Sequence, residues 1–97
     1  MAYDKTLLSD AELETFLKTH PGWSRKGQEL TRTYELPTFK EAIAFVGRVA
    51  EIADKHDHHP DIDIRYRKVT LTLTTHDAGG LTFRDPLVAS EADKAVR

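Results

Sequence analysis

The stretch Asp61-Ile62-Asp63-Ile64-Arg65-Tyr66-Arg67-Lys68-Val69-Thr70-Leu71-Thr72-Leu73-Thr74-Thr75-His76 alternates apolar and polar residues over most of its length. Successive side chains of a β-strand point to opposite faces, so this alternation marks strands with one buried face. Two half-buried strands are expected, Asp61–Arg67 and Val69–His76, joined near Arg67-Lys68 and therefore antiparallel. A one-residue slip would turn a strand's apolar set into water, so the register follows from matching apolar faces. The expected ladder pairs Tyr66 with Val69, Ile64 with Leu71 and Ile62 with Leu73. Continued, it sets His59 opposite His76; a three-residue loop would set His58 there instead. In either register an imidazole meets His76 at the open end of the hairpin.

Upstream lies a helical pattern. Pro37-Thr38-Phe39-Lys40-Glu41 opens it with a capping box from Thr38 to Glu41, and Phe39, Ala42, Ile43, Val46, Val49, Ala50 and Ala53 recur at helical spacing. This is the expected core helix. It runs into the polar knot Asp54-Lys55-His56-Asp57-His58-His59-Pro60, where proline bars continuation. Farther back, Ser9-Asp10-Ala11-Glu12 is a second capping box, flanked by Leu8 and Leu13, and His20-Pro21-Gly22 ends that helix. Trp23–Glu29 and Leu30–Leu36 read as a hairpin around Lys26-Gly27-Gln28. Downstream, Asp77-Ala78-Gly79-Gly80 is a loop, and a last helix starts near Thr82-Phe83-Arg84-Asp85, with Asp85 as its expected N-cap because Pro86 fits only a first turn. The order α-β-β-α-β-β-α specifies an α+β fold: a four-stranded antiparallel sheet with helices packed on one face, in one domain over residues 1–97.

Composition narrows the functions. With 97 residues, 39% of them apolar, the core is small, and an oligomer is an ordinary way to bury more surface. The net charge of −2 lacks the positive excess on which nucleic-acid binding depends. Without cysteine there is no disulfide scaffold, thiol nucleophile or thiolate metal site. The longest apolar run, Ala42–Val46, is far short of a membrane span, and Met1–Lys5 begins no apolar signal segment; a soluble, cytoplasmic protein is expected. A lone four-stranded sheet has two edges to cover. Leu30–Leu36 is the expected edge strand, pairing with its copy across a two-fold axis that brings Arg32 towards Glu35 of a second chain.

Four of the five histidines, His56, His58, His59 and His76, fall within one short window. Alternation puts His76 with the threonines, away from the apolar layer. Imidazole is the side chain whose ordinary chemistry suits proton transfer at neutral pH, so imidazoles gathered at a strand end, flanked by Asp57 and Asp77, are candidates for that role. His20 is a helix-end residue and His56 a solvated one in this reading. A metal held by His58, His59 and His76 is the alternative, without HExxH-type spacing to support it.

These residues also carry a resemblance. Asp54-x-x-x-His58-His59-Pro60, then Tyr66 after five residues, His76 after nine and Asp85 after eight, resembles the signature of the pterin-4a-carbinolamine dehydratases. Thr75-His76, Gly80-Leu81-Thr82, Arg84-Asp85 and Trp23 after the first helix extend the similarity to roughly Leu8 to Ala92. The resemblance implies dehydration of 4a-hydroxytetrahydropterin to quinonoid dihydropterin, as in tetrahydrobiopterin recycling, without metal or organic cofactor. It makes His58, His59 and His76 the catalytic histidines, His58 and His76 as an acid/base pair and His59 chiefly binding substrate. Which of His58 and His59 works opposite His76 stays open. Pro60, Thr75, Asp77 and Ala78 would line the pterin, Asp57 and Asp85 would orient imidazoles, and Trp23 would border the pocket. It also implies a homo-oligomer, dimer or tetramer. The rival reading is an interaction protein that binds helical partners, a second role of the same family.

Overall fold

The computed structural model describes residues 4–96; the N-terminal stretch read above for a signal segment begins outside them. Helix α1 (Asp10–Thr19) is followed by strands β1 (Ser24–Lys26) and β2 (Glu29–Glu35), helix α2 (Phe39–His56), strands β3 (Asp61–Arg65) and β4 (Lys68–Leu73), a 3-10 turn (His76–Ala78) and helix α3 (Arg84–Lys94). The four strands form one antiparallel sheet in the order β1-β2-β4-β3. The expected α-β-β-α-β-β-α order is therefore the observed one. Among the described residues, no helix is long and apolar enough to cross a membrane.

Local chemistry explains the ends of the helices. At α1 the Ser9 hydroxyl accepts from the Glu12 amide, and the Glu12 carboxylate accepts in return from the Ser9 amide. At α2 the Thr38 hydroxyl accepts from the Glu41 amide, so the forward half of the expected box forms. At α3 the expectation needs correcting. Asp85 lies inside the helix, whose N-cap is Phe83 without a side-chain cap bond; just ahead of it, the Thr82 hydroxyl accepts from the Arg84 amide, while the Asp85 carboxylate accepts from the Thr82 amide.

The sheet has two chemically distinct faces. Leu30, Tyr34, Val69, Leu71 and Leu73 pack on the helices, joined by Leu13, Phe16, Trp23, Phe45, Val49 and Val88. Across the opposite face run threonine rows, with Thr33 bonded to Thr70 and Thr31 to Thr72 through their hydroxyls. The core stripe of α2 is Ala42, Phe45, Val49 and Ala53. Phe39 and Ile43, expected inside, are exposed, because the stripe that faces the sheet is turned about a quarter of the way round the helix from them.

The β3–β4 register is shifted by two residues from the expected one, with the two-residue turn moved back by one position: Ile64 pairs with Val69 and Ile62 with Leu71. Tyr66 takes a left-handed conformation (φ 53°), so Tyr66-Arg67 alone reverse the chain. A shift of two preserves the faces, so the apolar pairing survives. Neither His58 nor His59 becomes a ladder partner of His76, since β3 begins at Asp61 and β4 ends at Leu73. Nor is β3 half-buried: Ile62 and Ile64 lie beside buried Leu71 and Val69 but remain 37% and 39% exposed, as no helix reaches over the β3 edge.

The edge assignment of Leu30–Leu36 is corrected in part. β2 lies between β1 and β4, held along its length by β4 but by β1 only over Glu29–Thr31, so among the described residues Arg32–Glu35 pair with β4 alone. Arg32 is occupied within its own chain. Its guanidinium lies over the Tyr34 ring and bonds to Asp93, and passes so close to Gly22 that a Cβ there would sit 2.3 Å from it. Asp93 Oδ1 also accepts from Trp23 Nε1 and the Tyr34 hydroxyl. Burial, then the bond to Asp93, push the Tyr34 phenol well above its ordinary pKa, so it stays a donor.

This uneven cover makes a measurable asymmetry. Leu71→Ala should cost about 2–5 kcal/mol in urea unfolding, whereas Ile62→Ala, at its register partner, should cost about 1 kcal/mol. Equal losses would mean that the β3 face is covered in solution.

Candidate active site

The end of α2 sets the site's geometry. Asp57 takes a left-handed conformation (φ 49°, ψ 45°) as the helix terminates, and the His58 amide donates back to the Ala53 carbonyl at 3.0 Å. This six-to-one bond is the Schellman arrangement, usually built on glycine or asparagine. It reverses the chain sharply, so consecutive residues leave in opposite directions. His58 turns inward and is 8% exposed; His59 turns outward. On the other side, the buried alternation of Val69, Leu71 and Leu73 continues to Thr75, leaving His76 on the exposed face as expected. Thr75 is held by an isolated bridge to Gly80, which closes the 3-10 turn between them.

Together these segments frame an open cavity of about 390 Å³ lined by Asp57, His58, His59, Thr74, Thr75, His76, Asp77 and Arg84. That is within the range of small-molecule sites. All three candidate histidines reach it, although not as ladder neighbours. Thr75 and Asp77 line it too, and Asp77 also pairs with Lys5 at 3.3 Å. Other expected residues do not. Pro60 lies beyond the cap at the start of β3, and Ala78 lies in the 3-10 turn behind Asp77. Trp23 is a core residue whose indole N–H is spent on Asp93, so it does not border this cavity.

The electrostatic centre is Asp85, which sits behind the cavity with 0% exposure. A buried carboxylate needs donors, and Asp85 has three. Oδ1 lies 2.6 Å from His58 Nε2; Oδ2 accepts from the Thr75 hydroxyl at 2.8 Å and the Thr82 amide at 2.9 Å. Asp85 therefore orients an imidazole as expected. Asp57 makes no carboxylate bond to an imidazole among the described residues; its backbone carbonyl instead accepts from Arg84 at 3.0 Å. The acid that holds His59 is Asp54, 2.9 Å from Nε2 on an exposed surface. His56 is not simply solvated: its Nε2 pairs with Glu91 on α3. His20 stacks on Phe16 and bonds to Ser90, a helix-end role.

Among the described residues His58 Nδ1 has no partner, and none of their side-chain nitrogens or oxygens is buried without one. That nitrogen therefore opens into the cavity. The arrangement offers one imidazole braced from behind by a carboxylate, and two more exposed imidazoles around the same space. Among the described residues no three His, Asp or Glu side chains converge as a metal-ligand set. Arg84, Asp54 and Thr82 are contributors to which sequence reasoning gave no role, although all three fell within the motifs that carry the resemblance and Thr82 also shows Thr-x-x-Asp spacing.

Comparison with known proteins identifies the family. Residues 6–95 match the family described as Pterin 4 alpha carbinolamine dehydratase. A Roseiflexus sp. (strain RS-1) protein, named provisionally as a pterin-4-alpha-carbinolamine dehydratase, is 57% identical over 91 residues, covering 94% of this chain and 98% of its own. A Nocardia farcinica protein with the same name is 53% identical, covering 94% and 96%. The crystal structure of a transcriptional coactivator/pterin dehydratase from Brucella melitensis superposes with a TM-score of 0.89 at 29% identity, over 95% of this chain and all of that one. A pterin dehydratase-like RuBisCO assembly factor of the alpha-carboxysome shares the fold at a TM-score of 0.63 and 19% identity, over 76% and 86%. With nearly the whole chain matched by family and by close relatives, this protein belongs to the pterin 4 alpha carbinolamine dehydratase family.

Proposed function

We propose that the chain is a hydro-lyase that dehydrates 4a-hydroxytetrahydropterin to quinonoid dihydropterin in tetrahydrobiopterin recycling. The observation that carries this reading is the meeting of His58, His59 and His76 in one cavity, with His58 braced by buried Asp85. Loss of water from the carbinolamine needs an acid and a base. The acid protonates the C4a hydroxyl, the C4a–O bond breaks as the N5 lone pair forms a double bond to C4a, and the base removes a ring N–H proton. The net change is loss of one water. Imidazoles perform both transfers near pH 7. His58, with Nδ1 open to the cavity, and His76 form the acid/base pair, and His59, fixed by Asp54, binds and orients the substrate. Thr75, Asp77 and Arg84 complete the walls. His76→Ala should lower kcat by about 10²–10⁴-fold, the usual contribution of a positioned acid or base, with an unchanged circular dichroism spectrum. Full activity in that variant would remove His76 from the pair. Turnover should also survive prolonged chelation, since proton transfer alone drives the step; loss on chelation with recovery on adding one metal would replace this mechanism.

We propose further that the protein is a homo-oligomer, joined through α2. Phe39, Ile43, Val46 and Ala50 form an outward apolar stripe at spacings of four, three and four, with Phe39 50% exposed. Such a stripe is the seam of paired helices. An antiparallel pair brings Lys40 of each chain towards the Asp54 end of the other and opposes the two helix dipoles favourably. Light scattering at micromolar concentration should give a multiple of 11.0 kDa, and Ile43→Glu should reduce it. A wild-type mass of 11 kDa would overturn the assembly and leave the stripe to a different helical partner.

A further inference from the structure

We propose that Thr75 and Thr82 are positioning residues whose hydroxyls form a one-way hydrogen-bond chain that fixes the tautomer of His58. The direction of the chain follows from counting hydrogens. Thr75 Oγ1 lies 2.8 Å from Asp85 Oδ2 and 2.8 Å from Thr82 Oγ1. An ionised carboxylate only accepts, so the single Thr75 hydroxyl hydrogen goes to Asp85. The contact with Thr82 is then made by the Thr82 hydroxyl, which donates to Thr75. Thr82 Oγ1 keeps a lone pair for the Arg84 amide at 3.4 Å, and the Thr82 amide itself donates to Asp85 Oδ2.

All of these groups are buried: Thr75 is 2% exposed, Thr82 and Asp85 0%. Solvent does not scramble the order. With Oδ2 filled by two donors, the charge on Oδ1 is left for one group, His58 Nε2 at 2.6 Å. The neutral ring then carries its proton on Nε2 and its lone pair on Nδ1, the nitrogen that opens into the cavity. In the opposite tautomer, two lone-pair-bearing atoms would face each other at that distance without water between them. Thr75 thus acts through His58 and not by giving its hydroxyl to a substrate, although it forms part of the cavity wall.

The turnover arm of the test rests on the dehydratase reading; the spectroscopic arm does not. In protein labelled with ¹⁵N-histidine at pH 8, where an ordinary imidazole is neutral, His58 should show a pyrrole-type Nε2 and a pyridine-type Nδ1. The signals are assigned by their loss in His58→Gln. Thr75→Val removes the donor while keeping the shape; a buried Asp85 short of that donor takes up a proton more readily and can give it to Nε2, so both tautomers should be populated. It should also lower kcat about 10–100-fold, the range seen when the orienting partner of a functional histidine is lost, with KM changed less than about threefold. Thr75→Ser should restore both readouts, and Thr75→Cys, a weak donor, should fall between Ser and Val. If the valine variant does not fold, the Ser and Cys variants still decide the order. A pyrrole-type Nδ1 in the wild type, or a tautomer indifferent to the donor at position 75, would overturn the proposal. Wild-type protein with the expected tautomer but no dehydratase turnover would overturn the functional reading instead.

Discussion

Asp85 has no exposed surface, and a carboxylate in that position is tolerated only if the chain brings donors to it. It does so from three places: His58 just after α2, Thr75 just after β4, and Thr82 just before α3. The first lies well upstream of the other two, and between them these segments supply most of the cavity wall. The same hydrogen bonds that make the buried charge affordable fix the relative placement of two helix ends and a strand end. Stability and site geometry are therefore not separable here. A change that deprives Asp85 of a donor disturbs the packing of α3 and the aim of His58 together.

A second carboxylate, Asp93, does comparable work at the other end of α3. It gathers the Trp23 indole, the Arg32 guanidinium and the Tyr34 hydroxyl on one oxygen. α3 is thus tied to β2 and the start of β1 by Asp93, to α2 by Glu91 through His56, and to the cavity by Asp85. Its own apolar contribution is small, chiefly Val88 and two alanines, Ala89 and Ala92. Polar bonds at both ends do for this short helix what a broad apolar face does for α2.

Much of this was legible in the sequence. The strands β3 and β4, the faces of their residues and the helical capping at Ser9 and Thr38 all follow from period and punctuation. Elements whose geometry depends on one backbone conformation were not legible. A tyrosine in a left-handed turn has no sequence signal, since asparagine or glycine is the usual sign, and so the register shifted by two residues unannounced. Asp54 and His59 are five apart across a helix end, a spacing that neither strand nor helix periodicity flags. Trp23 carried a family resemblance towards the pocket, but the indole N–H needed a partner and Asp93 lay in the core layer. The interior place of β2 is decided by β4 returning to its side, a long-range pairing that no local pattern encodes.

The reversal at Asp57 has a consequence for how the chain tolerates length change. His58 and His59 are the same residue type, side by side, in opposite environments: one nearly buried against Asp85, the other in solvent beside Asp54. Nothing in their own chemistry distinguishes them. Their identities are assigned by counting from the last turn of α2, so a single-residue deletion between Lys55 and Asp57 would move His59 into the place of His58 and His58 into the left-handed cap position of Asp57, while leaving a histidine pair in the sequence. Such a chain would keep its recognisable motif and lose the frame that gives the motif meaning. In this segment insertions and deletions are read as severely as substitutions of the histidines themselves, whereas the exposed Lys26-Gly27-Gln28 turn between β1 and β2 has no such count to keep.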